Sequence, residues 1–194
     1  MAVRTPRGGD RPGAAVTPPP DVQPTPGLVE VFLAPGTLHC AAAPSRVTTI
    51  LGSCVAVCLW DTRLRLGGIN HYVLPYRRGI GPGTRFGDTA IEQLLAQMLR
   101  LGCRPESLQA KLFGGAAVLG LATGGDPVGD QNVRVALDKL SRHAIPMIAR
   151  DTGGRLGRLI RLFTESGDVM VRRVAAGATE PIVPCQPAVL AHRA

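Results

Sequence analysis

Apolar residues gather along the central part of the chain in short runs, which polar or glycine-containing stretches separate. The runs are rich in β-branched and aliphatic residues, a composition typical of β-strands. We predict strands at residues 28–33, 46–51, 55–60, 66–73, 111–113, 146–151, 159–164 and 169–174. Only the stretch DTRLR separates 55–60 from 66–73, which predicts that these two strands form an antiparallel hairpin.

Two other segments repeat their apolar residues every three or four positions, as amphipathic helices do. The first starts at Thr89, which forms a capping-box pattern with Glu92, and stops at Gly102. Its apolar positions are Ile91, Leu94, Leu95, Met98 and Leu99. The second covers residues 132–143 and carries Val133, Leu137 and Leu140 on one face. Strands mixed with two helices predict an α/β or α+β fold, a single domain in which helices flank mixed β-sheets.

Composition divides the chain into a folded centre and two tails. Residues 1–26 are dense in proline, glycine and small residues and contain no aromatic residue, so they bury too little to offset the entropy of ordering. We therefore predict a disordered tail at 1–26, one folded domain at 27–176 and an irregular, proline-containing tail at 177–194. A chain of 194 residues, 45% of them hydrophobic, is long enough for one such core.

The formal net charge of +8 favours an anionic partner. Nucleic acid is not expected, because aromatic residues make up only 4% of the chain and no run of five or six basic residues occurs. No apolar run is long enough to span a bilayer and the N-terminus lacks a signal peptide, so we expect a cytoplasmic protein without membrane insertion. The five cysteines are odd in number and irregularly spaced, which predicts free thiols.

One cysteine of the predicted hairpin is a candidate nucleophile. Cys54 follows Gly52 and Ser53 at the start of the first strand, and His71 lies in the second. With a turn centred between positions 62 and 63, residues whose numbers sum to 125 are opposed, and Cys54 faces His71. Opposed residues share a face with Cβ atoms roughly 4.5 to 5.5 Å apart, which lets a histidine take the proton of a thiol. A loop one residue longer would place the two on opposite faces.

Packing explains the other candidate features. Cysteine is among the most frequently buried residues, and we assign that role to Cys58. A zinc site made by Cys54 and Cys58 with His71 or Cys40 is disfavoured, because no CxxC is present and alternate strand positions make poor tetrahedral ligands. The glycine pairs in FGGAA and DTGG predict turns that require positive φ.

Five segments, in their order and spacing, closely resemble the CheD family of chemoreceptor glutamine deamidases: TTILGSCVAVCLWD, GGINHYVLP, DTAI, AKLFGGA and RDTGG. The resemblance covers about residues 28–174 and implies a CheD-like cysteine hydrolase fold. It also implies a catalytic triad of Cys54, His71 and Thr48, where Thr48 is six residues before the cysteine and the adjacent Thr49 is the nearest alternative. The chain departs from the family at Gln131, where an arginine is usual.

These residues support hydrolysis of a glutamine side chain through a thioester. The Cys54 thiolate would attack the amide, His71 would transfer the protons, and backbone N–H groups at Gly52 and Ser53 would bind the oxyanion. We expect no cofactor and no metal. The resemblance implies chemoreceptor cytoplasmic helices as the substrate and a CheC-type phosphatase as a partner. The alternatives are a non-catalytic adaptor that binds this phosphatase, a zinc-binding protein, and a cysteine peptidase.

Overall fold

The computed structural model describes residues 27–78, 80–117, 126–174 and 183–184. Within these ranges the chain forms ten strands, two α-helices and two short 3₁₀ turns. The strands are β1 (Val29–Phe32), β2 (Thr37–Cys40), β3 (Ser45–Leu51), β4 (Val55–Asp61), β5 (Leu66–His71), β6 (Leu108–Gly114), β7 (Met147–Thr152), β8 (Gly157–Phe163), β9 (Val169–Val174) and β10 (Val183–Pro184). The helices are α1 (Gly87–Arg100) and α2 (Val128–Arg142), and the 3₁₀ turns cover Gly83–Arg85 and Pro105–Ser107.

The strands form two five-stranded sheets. Sheet A has the order β1-β3-β8-β9-β10, and sheet B has the order β2-β5-β4-β6-β7. Each sheet contains one parallel pair, β1 with β3 in sheet A and β6 with β7 in sheet B. The other neighbours are antiparallel. Two mixed sheets and two helices confirm the predicted single-domain α+β fold.

The core consists of two apolar layers that place sheet B in the middle of the molecule. One layer lies between sheet B and the helices and includes Val57 and Leu94. The other lies between the two sheets and includes Cys58 and Ile160. Strand β4 contributes to both layers, and none of the residues 55–59 is more than 2% exposed. Burial on both faces explains why VAVCL is an unbroken apolar run. Cys58 has the packing position predicted for it.

Most predicted elements are present, and the differences are local. Strand β2 has no counterpart among the predicted strands, because Thr37–Cys40 contains no apolar run. Helix α1 begins at Gly87, and the Thr89 hydroxyl donates to the Phe86 carbonyl at 3.2 Å. The predicted capping box is therefore wrong, because Thr89 lies inside the first turn. Helix α2 begins at Val128, four residues before the predicted start.

The predicted tails lie almost wholly outside the described residues. This holds for residues 1–26 and for most of 177–194. Within the second range, Val183–Pro184 forms a two-residue strand that pairs with β9 at the edge of sheet A. Neither helix in the described part of the chain is long and apolar enough to cross a membrane.

Candidate active site

The candidate nucleophile lies in a short loop between the two sheets. Cys54 follows β3, the second strand of sheet A, and immediately precedes β4, the central strand of sheet B. Its side chain is partly buried and packs against the apolar layer between the sheets. Ser53 beside it is exposed. The loop therefore holds a partly buried cysteine at the start of the buried strand β4.

Hydrogen bonds to its carbonyl groups hold this loop in place. The Ala116 N–H donates to the Gly52 carbonyl at 2.8 Å, and the Gly115 N–H donates to the Cys54 carbonyl at 2.9 Å. The Asn132 side-chain amide donates to the Ser53 carbonyl at 3.0 Å. All three consecutive carbonyls are thus bound to neighbouring segments, which fixes the backbone that carries the thiol.

The glycine motifs support the same loop. Gly114, in FGGAA, has φ +107°, and a Cβ atom built on it would lie 2.2 Å from the Cys54 carbonyl oxygen. The DTGG segment packs behind FGGAA, because the Gly153 N–H donates to the Gly114 carbonyl at 2.9 Å. Gly153 also has a positive φ of +74°. The motifs are turns with positive φ, as predicted; FGGAA also binds the cysteine loop, and DTGG binds FGGAA.

His71 is the last residue of β5 and is 1% exposed. Its Nδ1 lies 2.8 Å from the hydroxyl oxygen of Thr49, and this hydroxyl donates to the Leu33 carbonyl at 2.8 Å. A hydroxyl has one hydrogen to donate. Thr49 must therefore accept from His71, which assigns the proton of the neutral imidazole to Nδ1. Nε2 is left unprotonated, and among the described residues it is buried without a hydrogen-bond partner.

Burial keeps both candidate reacting groups uncharged. It lowers the pKa of His71 to about 4. Burial also raises the pKa of the Cys54 thiol. The backbone N–H of Cys54 and the charge of Arg85 lower this pKa, but their effect is smaller than that of burial. At neutral pH the resting pair is therefore a thiol and a neutral imidazole. Such a pair forms a thiolate only when the proton moves to the histidine.

The hairpin register differs from the predicted one. Val55 pairs with Tyr72, and Cys58 pairs with Ile69, so opposed residues sum to 127 and not to 125. The predicted direct opposition of Cys54 and His71 is therefore wrong. A change of two residues preserves the face, and Cys54 remains on the side of sheet B that carries His71. It lies diagonally from His71, and such neighbours are roughly 7 Å apart, which long side chains can bridge.

The reason for the changed register lies in the turn. The Asp61 carboxylate accepts hydrogen bonds from the N–H groups of Arg63 and Leu64 at 2.9 and 2.8 Å. Asp61 thereby becomes the last residue of β4, and the four-residue loop 62–65 follows it. An aspartate that binds the backbone two residues later is a common turn signal. Its presence at the first position of DTRLR could have placed the turn correctly.

Thr48, predicted to hold His71, does not contact it. Strand alternation turns Val47, Thr49 and Leu51 into the layer between the sheets, where all three are fully buried. Thr48 lies on the outer face of sheet A, where its hydroxyl accepts a hydrogen bond from Arg161 Nε at 3.4 Å. The hydrogen bond predicted for Thr48 is made by Thr49. The apolar residues two positions to either side of Thr49 were the available sequence signal for this.

Gln131 lies on α2 beside the candidate site. Its side-chain amide donates to the Asp126 carbonyl at 2.7 Å. It also lines a surface groove of about 230 Å³, whose other lining residues are Leu74, Pro75, Tyr76, Arg78, Phe86 and Val128. The groove begins three residues after His71 in the chain. Gln131, the position of the predicted departure from the family pattern, therefore faces a surface groove.

The described residues show no grouping of three or more histidine, cysteine or acidic side chains that could hold a metal ion. The four cysteines in this part of the chain, Cys40, Cys54, Cys58 and Cys103, form no disulfide. Burial raises the pKa of Cys40 to about 11 and that of Cys103 to about 12, so these two thiols stay protonated at neutral pH.

Comparison with known proteins identifies the family. A family model described as CheD chemotactic sensory transduction matches residues 74–173. A relative from Rhodospirillum rubrum is 49% identical over 148 residues, which cover 76% of this chain and 84% of the relative. The chain belongs to the CheD family. Further CheD relatives from Trichlorobacter lovleyi and Anaeromyxobacter dehalogenans are 46% and 43% identical, over 73% and 76% of this chain and 89% and 86% of their own lengths.

All three CheD relatives are named probable chemoreceptor glutamine deamidases. The predicted family membership is confirmed. The range matched by the family model begins after His71 and includes Gln131 and the glycine motifs. Cys54 and His71 lie outside this range.

Proposed function

We propose that this CheD chain hydrolyses glutamine side chains of chemoreceptors to glutamate, with Cys54 as nucleophile and His71 as general base and acid. One observation carries the assignment of residues. The hydrogen bonds from His71 to Thr49 and from Thr49 to Leu33 leave Nε2 unprotonated, on the face of sheet B that Cys54 shares. The names of the CheD relatives supply the reaction and the class of substrate.

The first half of the reaction forms a thioester. As the substrate binds, the thiol proton of Cys54 moves to Nε2 of His71, and the sulfur attacks the side-chain carbonyl carbon of the glutamine. The tetrahedral intermediate carries its negative charge on the former carbonyl oxygen. His71 then returns the proton to the nitrogen, the C–N bond breaks, and ammonia leaves.

The second half regenerates the enzyme. Water gives one proton to Nε2 and attacks the thioester carbon, and the resulting intermediate expels the Cys54 sulfur. The sulfur recovers its proton from His71, and the product is a glutamate side chain. Each time Nε2 is protonated, the imidazolium is held at Nδ1 by Thr49, so the ring keeps its orientation through both halves.

The oxyanion needs hydrogen-bond donors that are fixed before the reaction. We propose backbone N–H groups of the loop formed by Gly52, Ser53 and Cys54. The bound carbonyls of all three residues support this role, because they prevent the loop from turning its amides away. The glycine turns behind the loop contribute rigidity in the same way.

The experiment that tests this function is incubation with the cytoplasmic fragment of a chemoreceptor, followed by peptide mass spectrometry that reads the conversion of amide to acid. Cys54→Ala should abolish the conversion. Cys58→Ala, which removes a thiol from the same strand region but within the buried layer, should retain most of it per folded molecule. Unmodified glutamines with the parent chain, or equal loss in both folded variants, would contradict the proposal.

The family resemblance extends the proposal to a partner and a compartment. We propose that a CheC-type phosphatase binds beside the active site, where Leu74, Tyr76 and Val128 expose apolar surface around the groove. Because the cytoplasmic helices of a receptor are the proposed substrate, we place the protein in the cytoplasm. Binding of a purified CheC-type protein that persists in Cys54→Ala and is lost in Tyr76→Ser would support this surface.

A further inference from the structure

A buried asparagine joins the two segments that carry the proposed reacting groups. Asn132, in the second turn of α2, is fully buried. Its side-chain amide nitrogen donates to the carbonyl of Ser53 and to the carbonyl of Val73, each at 3.0 Å. Ser53 immediately precedes Cys54, and Val73 follows His71 by two residues. One NH₂ group thus binds the backbone one residue before Cys54 and two residues after His71.

The strand ladder of the hairpin ends just before this link. Beyond Cys58 and Ile69, the remaining pairing of the hairpin is an isolated bridge between Val55 and Tyr72. Between these pairs, the Val57 N–H donates to the side-chain oxygen of Asn70 at 2.9 Å. The regular ladder is therefore interrupted at Val57 and Asn70, and it ends with Val55 and Tyr72, which exchange two backbone hydrogen bonds at 3.1 and 3.0 Å. The Asn132 amide supplies a cross-link beyond the interruption.

We propose that Asn132 is a positioning residue that sets the separation of Cys54 from His71. The inference rests on the proposed function and adds a residue outside the triad. Asn132 acts through the backbone of the two segments and does not touch the substrate. Its position on α2 is itself held, because the Tyr72 hydroxyl donates to the Asn132 carbonyl at 2.7 Å.

The chemistry of the amide suits this task. Two carbonyl acceptors need two hydrogens from one atom, and the NH₂ group of asparagine provides them. The side-chain oxygen of Asn132 is buried and has no hydrogen-bond partner among the described residues. An unpartnered buried oxygen lowers stability, and the two hydrogen bonds that the same amide donates offset this cost only while both carbonyls stay within its reach.

The test compares Asn132→Asp and Asn132→Leu with the parent chain. Aspartate at this position has the shape of asparagine, but when ionised it places an oxygen that cannot donate a hydrogen bond against both carbonyls. Leucine fills the space without donating. The control is Thr164→Val, which removes the buried hydrogen bond that the Thr164 hydroxyl accepts from the Ser45 N–H at 2.8 Å but leaves the link from Ser53 to Val73 intact. Folding of each variant is checked by its melting temperature.

Two readouts are needed. The first is steady-state deamidation of a receptor fragment, and the second is the rate of Cys54 alkylation by iodoacetamide, resolved by peptide mass spectrometry. A displaced pair loses reactivity more than substrate affinity, so kcat should fall by about 10²-fold in both Asn132 variants with little change in KM. Alkylation of Cys54 at neutral pH should slow by about tenfold, because the imidazole stabilises the thiolate less well. Thr164→Val should keep both rates near those of the parent.

The aspartate variant adds a pH signature. Burial against two carbonyl oxygens raises the pKa of this carboxyl group, and its protonated form can again donate one hydrogen bond. The activity of Asn132→Asp relative to the parent should therefore rise as the pH is lowered, while that of Asn132→Leu should not.

Several outcomes would overturn the inference. They are Asn132 variants that react as fast as Thr164→Val in both readouts, a loss confined to KM, or a failure of both Asn132 variants to fold, which would make the residue structural. If the parent chain does not deamidate the receptor fragment, the proposed function fails. The alkylation rates then still decide whether Asn132 positions Cys54.

Discussion

At the scale of single residues, the position of one hydroxyl group defines the protonation of the candidate base. Thr49 donates to the Leu33 carbonyl and accepts from His71, so its orientation transmits a backbone constraint to the imidazole. The neighbouring Thr48 has the same chemical group and lies on the opposite face of the strand, against Arg161. The two threonines therefore form a natural pair of variant and control.

We predict that Thr49→Val strongly lowers kcat, because valine keeps the shape and removes the hydrogen bond to Nδ1. Thr49→Ser keeps the hydroxyl and should retain a measurable part of the activity. Thr48→Val should behave like the parent. Ammonia release from one receptor fragment measures all three. Impairment of Thr48→Val with an active Thr49→Val would show that Thr48 orients the base, as the family resemblance implies.

A second prediction at this scale concerns stability and pH. The pKa of His71 is about 4 in the folded protein and near 6.5 in an unfolded chain. Between these values the unfolded state binds a proton that the folded state does not, so stability falls as the pH is lowered through this window. The contribution of this residue is at most about 3 kcal/mol.

Denaturant unfolding at pH 7 and pH 4 measures this loss, with His71→Asn as the comparison. The difference in unfolding free energy between the two pH values should be smaller in the variant by an amount of this order. An equal pH dependence in both proteins would show that His71 is not buried in its neutral form.

At the scale of elements, the active-site loop depends on its contact with the end of β6. Gly114 approaches the Cys54 carbonyl so closely that a Cβ atom would lie 2.2 Å from the oxygen. The backbone of Gly114 also has φ +107°, a conformation that residues with a Cβ atom rarely adopt. The loop and the strand are therefore matched through one glycine.

We predict that Gly114→Ala displaces the loop and lowers both stability and activity. Gly153→Ala is the control, because this glycine also has a positive φ but has no atom within 4 Å of a built Cβ. The control should lose only the strain of the backbone conformation, about 1 kcal/mol. Unfolding free energies and deamidation rates of both variants provide the comparison, and similar values for the two would refute the steric argument.

At the scale of the whole molecule, the site lies where the two sheets are joined. Cys54 and His71 belong to the end of the β4–β5 hairpin in sheet B, Thr49 belongs to β3 in sheet A, and Asn132 belongs to helix α2. A further link between the sheets is the buried Arg158 of β8, which donates to the Asp151 carboxylate of β7 at 2.9 and 2.8 Å. Sheet A, sheet B and helix α2 thus each contribute a residue to the candidate site.

The local patterns of the sequence determined most of the elements and the two candidate reacting residues. Apolar runs between polar turns indicated the strands, and the predicted hairpin placed a cysteine and a histidine on the same face. The family motifs were also readable without a structure. These features depend on neighbouring residues in the chain, which is why the sequence was sufficient for them.

The tertiary structure alone decided the hairpin register, the threonine that contacts His71 and the contact between Asn132 and Ser53. The carboxylate of Asp61 fixed the position of the turn, and the numbers of opposed residues in the hairpin therefore sum to 127. Which of the two threonines meets His71 depended on which face of β3 packs against sheet B. Asn132 is 79 residues from Ser53 in the chain, and no local pattern connects them. Such contacts arise from packing between layers, and the sequence shows them only once the layers have been assembled.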